Sequence, residues 1–416
     1  MTQENFSETP PTAGKGIDKT ERSILTVTCF GHFMSHFNMM FFPALVLPLT
    51  RHFHLDLSLV VPLSFWMYLL YGITSLPWGM LSDRLGAKPL LHLQYLGGGL
   101  CAGAAAVSLS SPLALSLVLG GLGLFSGIYH PAGLGLITRG ISRMSMALGY
   151  NGMAGNAGLA AAPLAAGIMN HLLGVQGAFL LLGGLNLAGS LVMLVLPLRD
   201  PERAPLETIS SSRARHLALG FGLLCACMVL VGLVYRGSTV VLPSYFELRS
   251  ESLFQQLELL RGWMLSRNVA ATALTSLVFV VGMAGQYVGG RTAERFDPRR
   301  GYLLFHTVAV PLILMMAYAW NLTLLGLSAL FFFFILGMQP IENTLVANLT
   351  PDRLRHSAYG VKFILNFGVG AFAVHVVGII ERVWKLSAVF LWLTAASAGI
   401  ALLAALLLLA TRRLRL

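Results

Sequence analysis

The chain has 416 residues, of which 56% are hydrophobic and only 11% are charged, with a formal net charge of +11. Soluble globular proteins carry about a quarter charged residues, so this composition excludes an ordinary soluble domain. The charges fall in short islands between apolar runs of about 20 residues, the length of a membrane-spanning helix. Because backbone groups in lipid must be hydrogen-bonded internally, these run lengths predict an all-α integral membrane protein.

The apolar runs predict twelve spans in two pseudo-symmetric sets of six. A polar tail over 1–22 lacks the apolar core of a signal peptide, and we expect it to be disordered and cytoplasmic. The spans are expected at 25–49, 58–81, 89–109, 112–137, 147–170 and 176–197, then at 217–243, 268–290, 302–319, 322–346, 357–379 and 386–410. A cytoplasmic linker over 199–216 separates an N-terminal six-helix bundle over 23–198 from a C-terminal one over 217–412.

The basic residues test this layout, because lysine and arginine accumulate in cytoplasmic loops. Of 28, 20 fall on the predicted side of the N-terminus and 6 on the other side, while Arg236 and Lys362 lie inside spans. This asymmetry predicts that both termini are cytoplasmic in a multi-pass protein of the inner (cytoplasmic) membrane. Orientation also explains the net positive charge, so no nucleic-acid partner is expected.

The longest predicted external loop, 247–268, has leucines and a methionine at helical spacing. These residues are Leu253, Leu257, Leu260 and Met264. The pattern predicts a short helix in the membrane interface. An extended arm of the seventh span is an equal alternative.

A charged ten-residue loop follows the second span and recurs after the eighth. The first copy runs from Gly79 to Lys88, and the second, 211 positions later, from Gly290 to Arg299. The equivalent pairs are Gly79 and Gly290, Asp83 and Glu294, Arg84 and Arg295, Lys88 and Arg299; the same offset carries Gly149 to Gly360. The repeat predicts two fused halves of one fold. The second copy has Asp297-Pro298 in place of Gly86-Ala87, so we expect it to pack differently.

The first loop, in a layout of six plus six spans, resembles the signature loop of the major facilitator superfamily of transporters, over roughly 22–412. Within that superfamily, Ser126-Gly-Ile-Tyr-His130-Pro131 and the Gly- and Asn-bearing fifth span with Asn151 and Asn156 are similar to the fosmidomycin-resistance type of drug exporters. Span four lacks the internal arginine of many drug/proton exchangers in the superfamily. This departure argues against a drug/proton antiport mechanism.

The resemblance implies a gate at the two loops. The gating residues would be Gly79, Asp83, Arg84, Gly86 and Lys88 in the first copy and Gly290, Glu294 and Arg295 in the second. Asp83 would pair with a facing helix N-terminus or a neighbouring arginine and hold the cytoplasmic side closed. The alternative is a solvated loop that carries ordinary orienting charges.

One carboxylate, Glu342, falls inside a predicted span. A buried ionisable group costs at least about 2.5 kcal/mol at the bilayer centre, so it usually faces a partner or a water-filled cavity. Lys362 lies at a similar depth in span eleven and is the expected partner. Glu342 is therefore a candidate titrating group of a proton or substrate site, or one member of a structural ion pair.

His32 and His36 lie four residues apart on span one, with Asn38 nearby, and His130 lies in span four. In the superfamily these spans line the cavity, so the histidines are candidates for contact with substrate or protons. Packing between helices is an equal alternative. No Glu or Cys completes a metal site with the two histidines, and the four cysteines lack zinc-ligand spacing, so no metal is expected.

Arg236 in span seven must be paired or hydrated. It is a candidate for holding an anionic substrate; pairing with Glu247 or snorkelling to the surface is the alternative. Polar contacts to substrate, or between helices, are also expected from Tyr68, Tyr71, Gln286 and Asn366.

Together these features predict a secondary active transporter that works by alternating access, as a monomer and without cofactors. No phosphate-binding P-loop occurs, so a proton gradient is the expected driving force. Proton-coupled export of a small organic molecule is the favoured function. Uptake of an organic anion by symport or facilitation is the alternative, and a non-transporting membrane sensor is a remote one.

Overall fold

In a computed structural model, the structure is described for residues 18–142, 144–196, 198, 214–261, 266–350 and 355–412. Within these ranges every regular element is helical. The elements are α1 Lys19–Phe53, α2 Leu57–Val60, α3 Phe65–Ile73, α4 Ser75–Leu85, α5 Ala87–Val107, α6 Pro112–Ser126, α7 Tyr129–Gly140, α8 Met144–Val195, α9 Ala214–Arg249, α10 Glu251–Arg261, α11 Arg267–Arg295, α12 Pro298–Met316, α13 Asn321–Leu349, α14 Arg355–Phe363, α15 Ala373–Val383 and α16 Leu386–Ala410, with a 3₁₀ turn at Val61–Ser64, a π turn at Ile364–Gly368 and a 3₁₀ turn at Val369–Phe372.

The helices accommodate the predicted twelve spans. In the described ranges nine helices are long and apolar enough to cross a membrane, and the pair Leu57–Ile73 and Ser75–Leu85, bent by 46°, makes a tenth. The long helix α8 contains two predicted spans that meet at Gly174, where a φ of 67° breaks the helix. The remaining span is α12, which starts with the basic pair Arg299-Arg300.

The first helix extends past its predicted span by one or two turns at each end, whereas α5 and α12 stop two or three residues short of theirs and α16 coincides with its own. The first helix begins at Lys19, because Asp18 accepts a hydrogen bond from the Glu21 amide at 2.8 Å and the Glu21 carboxylate accepts one from the Asp18 amide at 3.2 Å. The prediction of a disordered tail to residue 22 was therefore wrong for its last residues. Residues 1–17 and most of the predicted linker lie outside the described part.

The predicted loop 247–268 contains the short helix α10, Glu251–Arg261. The helical spacing of its leucines is thus confirmed, and its position in the membrane interface stays a prediction. The side chains of Leu257 and Leu260, and all of Met264, fall outside the described residues.

Helices from the two predicted halves meet at several levels. Helix α8 packs on α1 and α5 in the first half and on α11 in the second, while α9 packs on α16. Helix α3 crosses the π turn so closely that a Cβ added at Gly72 would lie 2.1 Å from the backbone nitrogen of Gly368. Only glycine allows that approach, which brings spans two and eleven into contact.

One end of the assembly is closed by polar contacts between the halves. We call this end, which carries Arg51 and Glu247, the opposite face, and the end with the repeated loops the motif face. Arg51 and Glu247 form an ion pair at 3.1 Å. The Asn268 amide group donates to Glu247 at 3.1 Å and to the backbone oxygen of Ala44 at 3.0 Å.

Candidate functional site

Three histidines form a cluster between α1 and α7. His32 and His36 approach through their Nε2 atoms at 3.0 Å. His130 faces both rings edge-on, with ring centroids 5.3 Å and 5.4 Å away. One ring nitrogen from each histidine lies within 4.8 Å of the others. Three imidazoles at this spacing can share one proton or one cation.

The hydrogen bonds around His32 define its tautomer. Its Nδ1 lies 2.8 Å from the backbone oxygen of Asn151. A carbonyl oxygen only accepts, so Nδ1–H donates and the lone pair of neutral His32 is on Nε2, facing His36. Asn151 is in turn held by its side-chain amide, which donates to the Tyr129 hydroxyl at 2.6 Å.

A second chain of hydrogen bonds defines the tautomer of His130. The Ser35 hydroxyl donates to the backbone oxygen of Ser126 at 3.0 Å, and the Tyr71 hydroxyl lies 3.0 Å from Ser35 Oγ and 2.8 Å from His130 Nε2. These contacts are all satisfied when Tyr71 donates to Ser35 and His130 Nε2–H donates to Tyr71. His130 Nδ1 then carries a lone pair, and it is buried without a hydrogen-bond partner among the described residues.

Helix α13 carries the second cluster, which surrounds Glu342. The carboxylate is fully buried and forms an ion pair with Lys362 at 2.9 Å, as predicted from their depths. Tyr302 donates to it at 2.8 Å and Asn366 at 3.0 Å. Lys362 also donates to the Asn343 side chain at 2.5 Å. The buried charge is therefore fully partnered.

Arg236 lies near His36 of the histidine cluster and is 2% exposed. Its guanidinium carbon lies 3.5 Å from the centroid of the Tyr68 ring, a cation–π contact. Across the described ranges no ion pair involves Arg236. The alternative pairing with Glu247 is not what the structure has, since Glu247 binds Arg51. The guanidinium is a buried cation available to an anionic group.

The segment Lys362–Gly368 touches both clusters. Phe363 stacks on the His130 ring with centroids 4.6 Å apart, and Phe367 stacks on it at 5.6 Å. Lys362 and Asn366, on the neighbouring side of the same helix, bind Glu342. Residues Ile364–Gly368 form the π turn, a local widening that is frequent at functional sites. We call Lys362–Gly368 the bridging segment.

Two other sets of predicted site residues make contacts outside the clusters, one between the halves and one within the first half. Asn156 in α8 donates to Gln286 in α11, which in turn donates to Gln339 at 2.7 Å. Asn38 exchanges hydrogen bonds with Asn186 at 3.1 Å and 2.8 Å, within the first half. Asn38 also donates to the Ser126 hydroxyl at 3.0 Å, which connects it to the Ser126–Ser35–Tyr71 chain that leads to His130.

The first motif loop is held within its own half. Asp83 pairs with Arg139 at 3.4 Å, and its side chain is 64% exposed. Gly86 has a φ of 87° and ends α4, a conformation that glycine adopts without strain. Arg84 is exposed, as are Glu294 and Arg295 in the second copy, and a Cβ on Gly290 would meet nothing within 4 Å. The gating role of both loops stays a prediction.

The last basic residue of each loop has an equivalent contact. Lys88 Nζ donates to the backbone oxygen of Leu196, at the end of the sixth span, at 2.7 Å. Arg299, its equivalent, donates to the backbone oxygen of Thr411, at the end of the twelfth span, at 2.5 Å. A cation at the C-terminus of a helix satisfies free carbonyls and favours the helix dipole. The repeat in sequence is thus a repeat of contacts.

Residues 28–374 match the family model of the Major Facilitator Superfamily. The chain belongs to the Major Facilitator Superfamily. It is a multi-pass membrane transport protein and not an enzyme, which confirms the predicted fold class of twelve helices in two bundles. No curated protein matches the chain by sequence.

Solved transporter structures share this superfamily fold. A bacterial homolog of the human lysosomal transporter Spinster, in an inward-facing and unoccupied conformation, is 15% identical, with 95% of this chain and 98% of that chain covered and a TM-score of 0.70. A peptide transporter, POT, in complex with sulfate is 16% identical, with 94% of each chain covered and a TM-score of 0.71. The nucleoside transporter NupG is 13% identical, with 92% and 99% covered and a TM-score of 0.71.

Several residues of this superfamily member were missed at the sequence level. Tyr302 and His306 are four apart on α12, their rings contact edge-on at 4.5 Å, and Tyr302 binds Glu342. Their spacing on one helix face was the available signal. The same spacing relates Phe363 and Phe367, the two rings that cover His130.

Proposed function

We propose that the protein is a proton-coupled secondary transporter that moves a small organic anion together with a proton, by alternating access of its two halves. The observation that carries this proposal is Arg236, a buried guanidinium without an ion-pair partner among the described residues. A buried cation is costly unless an anion accompanies it. A carboxylate or phosphate group of the substrate would be that anion, held bidentately by the guanidinium fork.

The charges of the two clusters support an anion rather than a neutral substrate. Arg236 and Lys362 supply two positive charges, and Glu342 supplies one negative charge. With neutral histidines, the described centre has one excess positive charge. A monovalent anionic substrate would balance it, whereas a cationic substrate would add to the imbalance.

Glu342 is the proposed proton site. The groups that face it are Lys362 on α14, Tyr302 and His306 on α12, and Cys225 and Cys227 on α9. When Glu342 takes a proton, its ion pair with Lys362 is lost and Lys362 needs another anion. Proton binding and anion binding therefore favour each other, which is the requirement for symport.

The role of Lys362 favours symport over the proton-coupled export expected from the sequence. In exchange, the proton and the substrate must displace each other. Here the Lys362 ammonium is shared, because it pairs with Glu342 before protonation and with the substrate anion afterwards. We further propose that both termini are cytoplasmic, because the basic residues gather on the motif face. We also propose that the protein works as a monomer in the cytoplasmic membrane.

A thermal-shift screen of purified protein against monocarboxylates and phosphate monoesters tests the anion site. Compounds that bind the folded state should raise its unfolding temperature. Arg236→Gln should abolish that shift, whereas Arg249→Gln, which removes an arginine stacked on Trp320 at 4.0 Å, should leave it intact. A screen without hits, or hits that Arg236→Gln retains, would overturn the proposed substrate class.

Proteoliposomes that contain a trapped pH dye then give the direction of coupling. Addition of the screened anion outside should acidify the lumen if the proton enters with it. Alkalinisation would indicate exchange, and anion flux without a pH change would indicate facilitated diffusion. Glu342→Gln should remove the pH change.

A further inference from the structure

The geometry points to a binding site for a divalent first-row transition-metal ion at His32, His36 and His130, and we propose this site as a property separate from anion transport. No metal was expected from the sequence, because His32 and His36 lack a third ligand on their own span and the four cysteines lack zinc-ligand spacing. The fold adds the third from span four. All three rings offer a nitrogen within 4.8 Å of the others.

The spacing suits a tetrahedral metal. Zinc binds imidazole nitrogen at about 2.0–2.1 Å, which places two such ligands roughly 3.3 Å apart. The His32 and His36 Nε2 atoms are 3.0 Å apart, close to that value. The chosen His130 nitrogen lies within 4.8 Å of the other two, so it must move closer for all three to bind one ion.

The hydrogen bonds of the free cluster also fit a metal. Histidines that bind metals usually donate their other ring N–H to a carbonyl or carboxylate, which orients the ring. His32 Nδ1–H donates to the Asn151 backbone oxygen at 2.8 Å in this way, and this contact leaves Nε2 available. His130 Nδ1, on a side chain only 4% exposed, has no partner among the described residues. The lone pair of His130 Nδ1 is thus free, and that of His32 Nε2 becomes free when a cation displaces the proton that His36 Nε2 donates to it.

The donor set selects the class of metal. Three neutral imidazoles suit zinc, copper, nickel, cobalt and iron, whereas magnesium and calcium require oxygen ligands. The cluster contains three protein ligands, the number at which a fourth position stays open to an outside ligand. Arg236 is close enough to act electrostatically on His36. The positive charge of Arg236 beside a bound metal ion favours an anionic fourth ligand, either hydroxide or a carboxylate.

The test is equilibrium binding of Zn²⁺ to tag-free wild-type protein in detergent, with Mg²⁺ as the contrasting ion. We expect one Zn²⁺ per chain at this site and no competition by Mg²⁺. His36→Gln and His130→Gln should weaken Zn²⁺ binding by at least about tenfold. His92→Gln is the matched control, because His92 lies outside the cluster and contacts the Ser190 backbone oxygen at 3.2 Å.

X-ray absorption of the Zn²⁺-loaded wild-type protein keeps the test independent of variant folding. Histidine scattering from three imidazoles at about 2.0–2.1 Å is expected. The proposal is overturned if the wild-type protein binds no Zn²⁺, if the spectrum lacks histidine scattering, or if the cluster variants bind as tightly as the His92 control. Anion transport plays no part in these measurements, so their failure would leave the proposed function standing.

Discussion

Neutralising Glu342 should destabilise the protein far more than neutralising a surface carboxylate. The Glu342 side chain is 0% exposed and that of Lys362 is 7% exposed, and the two are 2.9 Å apart. Replacement by glutamine keeps the shape and the contact with Asn366, and the Tyr302 hydroxyl can accept from the new amide NH2, but the lysine charge is left uncompensated. Removal of one partner of a buried pair costs about 3–5 kcal/mol.

The assay is thermal unfolding of purified variants in one detergent. Glu251→Gln is the control, because its ion pair with Arg267 has side chains 48% and 58% exposed and should contribute at most about 1 kcal/mol. The double variant Glu342→Gln with Lys362→Met removes both charges and should recover most of the loss. Such recovery is the coupling that a double-mutant cycle isolates.

Two results would contradict a stabilising role for the Glu342–Lys362 pair. Glu342→Gln could unfold at the same temperature as Glu251→Gln, in which case the buried pair does not stabilise the fold. Alternatively, the double variant could be no more stable than the weaker single variant. That result would show that the two charges act independently and that Lys362 has another compensating partner.

Three further predictions concern the faces of the molecule. Lys88→Met should lower the free energy of unfolding by about 1–2 kcal/mol, because the contact with the C-terminus of the sixth span is lost. Lys88→Arg should retain most of that stability, and equal stability of the two variants would contradict the capping role. Arg51→Ala removes the cation that pairs with buried Glu247 and should open the opposite face. A cysteine introduced there as S244C, in a cysteine-free background, should then react faster with an impermeant thiol reagent. An unchanged reaction rate would mean that the ion pair does not close the opposite face. Asp83→Asn should abolish transport in proteoliposomes while insertion is retained, and full transport by that variant would remove the gate.

The sequence was sufficient for the spans and for one ion pair. Apolar run lengths give the spans directly, since a helix must cross about 30 Å of hydrocarbon. The Glu342–Lys362 pair followed from two charges at similar depth in adjacent predicted spans. Depth is readable from sequence, because each residue adds a fixed rise along the helix.

Rotation of each helix about its own axis is not readable in the same way. His130 meets His32 and His36 only because α7 turns that face toward α1, and the rotation depends on packing contacts far apart in sequence. Asn156, by contrast, was expected among the site residues, but its face of α8 turns toward α11, where it donates to Gln286. An apolar environment on all sides leaves no amphipathic pattern from which to predict these faces.

The bridging segment gives a physical reason why events in the two clusters should be linked. Lys362 and Asn366 are four residues apart and contact Glu342, while Phe363 and Phe367, also four apart, cover His130. Because one rigid turn carries both pairs, loss of the Lys362 ion pair and movement of the aromatic cover involve the same displacement. Under the proposed function, proton occupancy at Glu342 and access to the histidines would be two readouts of one conformational equilibrium, which is the form of coupling that alternating access requires.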